Sequence, residues 1–348
     1  MDILFNNEIA DMLELVFFSS PIGLGHAARD VAISQNLDDT SKRFVSGGMA
    51  PKLLSQYGFE VDNLYNPPPF QVENGNLKQP LRWLFSYYSY YRKCKQISSS
   101  ILDRYGPNLI VSDEDFASLV SGQNKGIKTI LVTDILETNF ARGVGSIIEK
   151  QMNKSMKGII KKCDLVIVPE NGDNKDNIVR VGPIVRKTSE SRDQLRDKFS
   201  FHRKTIVVSI GGTDSGRFLI EETVKAFSRL NIDADLVMVS GPSLDLVDSR
   251  FRNLGFVNNL HEVILASDLV ISLAGKSTID ESIHYGTPGI FIPIKGHFEQ
   301  EENAKELGYG YDDIFHLDKL ILEKINEKRN PRPFDGDKKA ADFIRKFL

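Results

Sequence analysis

Cysteine is scarce in this chain: Cys94 and Cys163 are the two among 348 residues. They stand far apart and form no metal-ligand spacing. That argues against a disulfide scaffold or a zinc cluster and suits a reducing compartment. Long apolar runs are absent as well; none approaches the roughly 20 residues of a membrane-spanning helix. Neither sign of charge dominates, with 44 Lys and Arg against 47 Asp and Glu. Bulk charge therefore gives no case for nucleic acid as a partner. The opening segment MDILFNNEIADMLELVFFSS has no basic start. It reads as a leader into the first strand rather than a secretory signal. These absences together point to a cytoplasmic globular protein.

What is present is alternation. Short apolar runs alternate with amphipathic stretches from end to end, the pattern of parallel sheets covered by helices. One series of strands is expected at Leu13–Ser19, Arg43–Ser46, Asn108–Ser112, Thr129–Thr133 and Leu165–Val168. A second is expected at Ile206–Ile210, Asp235–Val239, Leu269–Ser272 and Gly289–Ile292. Each series opens with a strand feeding a Gly-rich turn, FFSSPIGLGH and then VVSIGGTDSG. Each later carries a near-identical strand, DLVIV and DLVIS. The fold class is therefore α/β, with two Rossmann-like domains, residues 1–184 and 185–335. A last helix, 336–348, could cross back to the first domain.

The densest pattern lies between Asp268 and Gly310. Strand 269–271 runs into a turn at Ala274-Gly275, where Ser277 and Thr278 can cap a helix bearing Glu281 in its first turn. A helix start after a parallel strand offers free N–H groups and a positive dipole end, a place for phosphate. A carboxylate about one turn on can bond a ribose hydroxyl. Ser272, Ala274, Gly275, Thr278, Glu281, Gly286, Pro288, Gln300, Asn303 and Ala304 stand at fixed spacing. That spacing resembles S-x-A-G-x-x-T-x-x-E, G-x-P and Q-x-x-N-A, the donor motif of MurG-like inverting glycosyltransferases of the UDP-glycosyltransferase superfamily. The resemblance implies the GT-B fold, two Rossmann-like domains facing across a cleft, with the nucleotide-sugar on the C-terminal one. One position departs: the family's Arg after the first Ser is Leu273 here, with Lys276 able to supply the charge.

The first Gly-rich turn, with Gly23 and Gly25, places His26 at a helix start on the ligand edge of the sheet. The turn lacks the third glycine of a dinucleotide fingerprint, so NAD is disfavoured. It is similar to the G-x-G-H loop of the same superfamily, which implies His26 as general base on an acceptor hydroxyl. A base histidine needs an orienting carboxylate. Asp113, ending its strand, is the candidate, with Glu114 and Asp115 as neighbours. The helix N-terminus should lower the His26 pKa and keep it neutral. Asp113-Glu114-Asp115 also has the form D-x-D, but not in the fold that uses it for metal; no metal site and no cofactor beyond the donor substrate are expected.

The remaining donor contacts follow from the resemblance: Gly211, Gly212 and Thr213 at phosphate, Arg186 toward the diphosphate, and Phe256, Val257 and Leu260 at uracil. Lys276 and Ser277 join the phosphate helix start, and Gln300 and Asn303 reach the donor sugar. On the acceptor side, six of the nine residues from Trp83 to Tyr91 are aromatic. Six Lys or Arg fall between Asn76 and Tyr105, and a second basic helix is expected over Arg142–Lys162. Aromatic and basic side chains together suit a lipid-linked acceptor or a membrane interface, or a packed helix whose Trp83 and Tyr87 stack on a sugar. The expected activity is metal-independent, inverting transfer from a UDP-sugar to an acceptor hydroxyl. A UDP-sugar hydrolase of the nonulosonic-acid type and a non-catalytic nucleotide-sugar binder are the alternatives.

Overall fold

The computed structural model describes residues 14–37, 39–138, 145–211, 214–240 and 249–348. In its first half, five strands carry the main chain of the sheet: β1 (Leu15–Ser19), β2 (Lys42–Gly47), β3 (Val61–Tyr65), then β6 (Leu109–Asp113) and β7 (Lys128–Val132). A hairpin, β4 (Gln71–Glu73) with β5 (Asn76–Lys78), stands apart, and β8 (Leu165–Val168) and β9 (Ile178–Arg180) complete the sheet. The helices here are α1 (Gly25–Ser34), α2 (Ala50–Gln56), α3 (Pro80–Tyr105), α4 (Phe116–Lys125) and α5 (Gly145–Ile160).

The second half holds β10 (Lys204–Ser209), β11 (Ala234–Val239), β12 (Arg252–Asn253), β13 (Leu269–Leu273) and β14 (Gly289–Ile292). Its helices are α6 (Arg192–Lys198), α7 (Arg217–Arg229), α8 (Leu260–Ala266), α9 (Lys276–Tyr285), α10 (Phe298–Glu306), α11 (Leu317–Lys324) and α12 (Gly336–Arg345).

The seven-stranded sheet runs β3-β2-β1-β6-β7-β8-β9 and the five-stranded sheet β12-β11-β10-β13-β14. Every pairing in both is parallel. Parallel sheets are covered on both faces, so their strands read as continuous apolar runs. In β1, Leu15 and Phe17 enter the core beneath α1, while Val16 and Phe18 enter the opposite core beneath α3. All nine strands expected from the sequence are present, with ends shifted by at most two residues; Leu13, the expected start of the first, lies outside the described residues.

Three edge strands, β3, β9 and β12, and the β4–β5 hairpin fall outside the nine. Short edge strands half open to solvent lack the buried apolar run that marks a central strand. The expected basic helix is present as Gly145–Ile160, its proposed start at Arg142 lying outside the described residues.

The two halves touch at several points. Ala340, Ala341 and Ile344 of α12 are buried in the first half's core beside Val181 and Ile184. Burying the Ile344 side chain contributes on the order of 1.5–3 kcal/mol, and each alanine methyl less than about 1. On the far side, the hairpin clasps the loop after β14: Leu77 N donates to Lys295 O at 2.9 Å and Lys295 N donates to Gly75 O at 2.8 Å. Tyr311 Oη donates to Asn74 O at 2.7 Å.

Candidate active site

Sheet order alone fixes where a site can form. In the first sheet the order reverses between β1 and β6; in the second it reverses between β10 and β13. Crevices at such reversals, beyond the C-terminal strand ends, are where open α/β sheets bind ligands. His26 follows β1 and Asp113 ends β6. Gly211 follows β10 and Gly275 follows β13. The two crevices face each other: Ser277 Oγ at the start of α9 donates to Gly25 O at the start of α1, 3.3 Å away. A Cβ at position 25 would stand 3.0 Å from that same oxygen, so glycine keeps the two helix starts close. Gly23 has φ +80°, a turn most side chains resist.

On the first domain, His26 Nδ1 donates to Asp113 Oδ1 at 2.8 Å. Asp113 is fully buried. Arg29 holds the same carboxylate, Nε to Oδ2 at 2.7 Å and Nη2 to Oδ1 at 2.5 Å, and reaches Asp134 Oδ1 with Nη1 at 3.2 Å. Burial opposes ionisation of Asp113, but Arg29 and His26 outweigh it and hold its pKa below the usual range. Of the three neighbouring carboxylates, Asp113 therefore orients the imidazole. Asp115 caps α4 by accepting from Ala117 N at 3.2 Å, and accepts from Tyr65 Oη at 2.7 Å.

Glu114 faces the other ring nitrogen, Oε2 to Nε2 at 3.7 Å. Arg29 and Asp134 were not singled out in the sequence. The available signal for Arg29 was its place three residues after His26, on the same helix face.

The helix-dipole expectation for His26 is corrected. Burial lowers its pKa, but Asp113, Glu114 and the Asp113 hydrogen bond raise it further, to about 9. Full carboxylate charges within 4 Å act more strongly than the fractional charge of a helix end.

On the second domain, α9 starts at Lys276 with Gly275 as its N-cap, and no side chain caps it. Ser277 and Thr278 lie inside the first turn, and Glu281 lies in the second, which corrects the expected capping and placement. Glu281 is buried against Arg186: Nε donates to Oε1 at 2.8 Å and Nη2 to Oε2 at 3.3 Å. Arg186 Nη1 also donates to Asn258 O at 2.7 Å. One guanidinium thus joins the two segments expected to hold ribose and base. Each Glu281 oxygen keeps a second lone pair for another donor.

Lys276 Nζ pairs with Asp280 Oδ1 at 2.8 Å. Burial lifts the Asp280 carboxyl to about 6 despite that lysine. Gln300 Oε1 accepts from Ile294 N at 3.0 Å, and Asn303 Nδ2 donates to Ala274 O at 3.1 Å. Val257 and Leu260 pack beside the core under α8, and Lys52 lies 4.7 Å over the Phe256 ring. Gly212 and Thr213 lie outside the described residues.

Trp83 stacks on Phe70 at 4.5 Å and on Tyr87 at 5.0 Å, and its Nε1 donates to Pro68 O at 2.9 Å. Phe70 in turn lies 5.7 Å from His297 of the second domain. These rings occupy stacking surface that the sequence reading assigned to an acceptor sugar. Phe85 and Tyr88, on the same helix, are exposed.

Two parallel αβ units thus face each other across a cleft, with a His–Asp pair on one and a helix start on the other. A search of known proteins agrees. Residues 205–330 match the model of the glycosyltransferase family 28 C-terminal domain. An uncharacterized glycosyltransferase of Methanopyrus kandleri is 27% identical over 219 residues, 60% of this chain and 62% of that protein, slightly under two thirds of its length.

The UDP-N-acetylglucosamine–N-acetylmuramyl-(pentapeptide) pyrophosphoryl-undecaprenol N-acetylglucosamine transferase of Thermosipho africanus is 24% identical, covering 89% of this chain and 91% of that one. Among solved structures, the glycotransferase of kitacinnamycin aligns with a TM-score of 0.67 at 15% identity, covering 96% of this chain and 99% of that one. The S. aureus MnaA–UDP structure aligns at 0.60 with 14% identity, covering 96% and 95%. The chain has the GT-B fold and is similar over most of its length to proteins named as glycosyltransferases. More narrowly, its second half carries a family 28 C-terminal domain.

Proposed function

We propose that this glycosyltransferase moves a sugar from a UDP-sugar to an acceptor hydroxyl with inversion and without a metal ion. The observation that carries the reading is the pairing across the cleft: His26 with Asp113 on one helix start, Lys276 to Thr278 on the other, joined by the Ser277–Gly25 contact. The donor lies on the second domain. Its diphosphate meets the free N–H groups of α9 and the turn at Gly211, with the ribose at Glu281 and the base along Phe256 to Leu260. Fixed dipoles there stabilise the departing diphosphate without reorganising.

The acceptor enters from the first domain. His26 Nε2 takes its proton while Asp113 holds Nδ1–H and so fixes the tautomer. Inversion follows from attack on the face opposite the leaving group. Names of similar proteins support a UDP-linked donor, since the Thermosipho enzyme uses UDP-N-acetylglucosamine by its title. The exposed Phe85 and Tyr88 beside Arg82 and Arg92 support an acceptor carried on lipid at the membrane's inner face. Among the described residues no helix is long and apolar enough to cross a membrane.

The test incubates the protein with UDP-sugars of known anomeric configuration, with a lipid extract, with soluble glycans, or with water alone. Product linkage is then read by NMR. The expected product has the inverted anomeric configuration and forms in the lipid arm. A retained configuration overturns the mechanism, and sugar released equally fast in water alone would make the protein a hydrolase.

A further inference from the structure

Extended backbone sends consecutive side chains to opposite faces of a strand, so Asp113 and Glu114 should diverge. They converge on one imidazole instead. Glu114 has φ +55°, left-handed backbone that is strained for a glutamate. Its position is pinned by the hydrogen bonds of its neighbours. Glu114 N donates to Val132 O at 3.2 Å and Ser20 N donates to Asp113 O at 2.9 Å. The side chain is held too: Oε1 accepts from Thr133 Oγ1 at 3.0 Å and from Asp134 N at 3.4 Å. That leaves Oε2 turned toward His26 Nε2, 3.7 Å away. Strain at a glutamate beside the reactive nitrogen calls for a function rather than a packing explanation.

We propose that Glu114 receives the acceptor's proton from His26 Nε2 and passes it to solvent, acting through the histidine as a positioning residue. The inference rests on His26 being the base. In the step, the acceptor O–H bond breaks as its oxygen bonds the anomeric carbon. The carbon–oxygen bond to the diphosphate breaks with its electron pair leaving on the nucleotide. The proton moves to Nε2, then to Oε2, which becomes a carboxylic acid, and from there to water. Closing Oε2 to hydrogen-bond range asks for a shift of roughly 1 Å.

The surroundings suit that task. Burial and then Asp134 push the Glu114 carboxyl well above the usual range, so it can hold a proton. The other charged groups facing this pair are Arg29 and Asp30 on α1, Asp113 at the end of β6 and Asp134 after β7; Asp280, across the cleft, acts on Asp134 and Arg29.

The experiment compares wild type with Glu114→Gln, whose amide oxygen can still accept from Thr133. The His26 imidazole is titrated by NMR, its signal assigned by loss in His26→Gln, and kcat and donor KM are measured across pH. The expected result is a His26 midpoint lowered by about one unit or more and a plateau kcat lowered by about tenfold or more, with donor KM within about twofold. An unmoved midpoint overturns the proposal, because Glu114 would then only brace the Thr133–Asp134 turn. A lowered midpoint with full kcat overturns it as well. Failure of the underlying base assignment shows separately, as turnover retained in His26→Gln. If Glu114→Gln folds poorly, Glu114→Gly removes both the carboxylate and the strained backbone and carries the same readouts.

Discussion

Replacing His26 with alanine is expected to lower kcat by about 10²–10⁴-fold, the usual contribution of a positioned general base. The fold should survive, because Asp113 keeps both of its hydrogen bonds from Arg29 and no buried carboxylate is left alone. Donor affinity should hardly change, since His26 stands on the first domain. The wild-type acid limb of kcat/KM should lie above the ordinary histidine range. The imidazole's pKa is raised to about 9, so the neutral, proton-accepting form gains population only as pH rises toward that value. Residual turnover above about a tenth of wild type would remove His26 from the chemistry.

Replacing Glu281 with alanine is expected to have the largest effect on stability. Arg186 would remain buried with its main counter-charge gone, and breaking such a pair costs about 3–5 kcal/mol. Against a typical total of about 5–15 kcal/mol that is a deep loss, visible as a lower Tm. UDP affinity should fall as well, through loss of a ribose partner and loosening of the Asn258 backbone that Arg186 holds. The double variant Glu281→Ala with Arg186→Met separates the loss of stability from the loss of binding, since it leaves no buried unpaired charge. Its Tm should recover most of the loss while UDP binding stays weak. Recovery of both would mean that Glu281 serves the fold alone.

The contrast between these residues shows what a sequence discloses. The nine strands read from the sequence were legible because they are buried and apolar almost without a break, as in Leu269–Leu273. The short edge strands were not, because a half-exposed Val61–Tyr65 looks like a loop. His26 and Asp113 were legible as neighbours, since one opens the helix after β1 and the other ends β6 at the same edge of one sheet. Their third partner, Arg29, and the second carboxylate, Glu114, depend on side-chain direction and on one left-handed backbone angle, which spacing does not encode. The Arg186–Glu281 pair joins positions 95 residues apart. Each reads as a ligand contact in the sequence, and their mutual engagement emerges only when the segment between β9 and α6 folds against α9. The His26 shift runs opposite to expectation for a related reason: Asp113 is a visible candidate partner, but sequence order does not show that it and Glu114 close to 2.8 and 3.7 Å from the two ring nitrogens.

The central claim is that the second domain holds a uridine diphosphate sugar. Thermal denaturation with UDP, UMP, GDP, CMP, ADP, NAD and several UDP-sugars, each with and without EDTA, tests it most directly. A ligand bound only by the folded state at a hundred times its Kd adds about 2.7 kcal/mol, several degrees in Tm. UDP and UDP-sugars should give that shift with EDTA present or absent, and the other nucleotides should not. A shift with a different nucleotide, or none with UDP, would contradict the assignment of Phe256 to Leu260 as the base-reading segment and the donor site built around it.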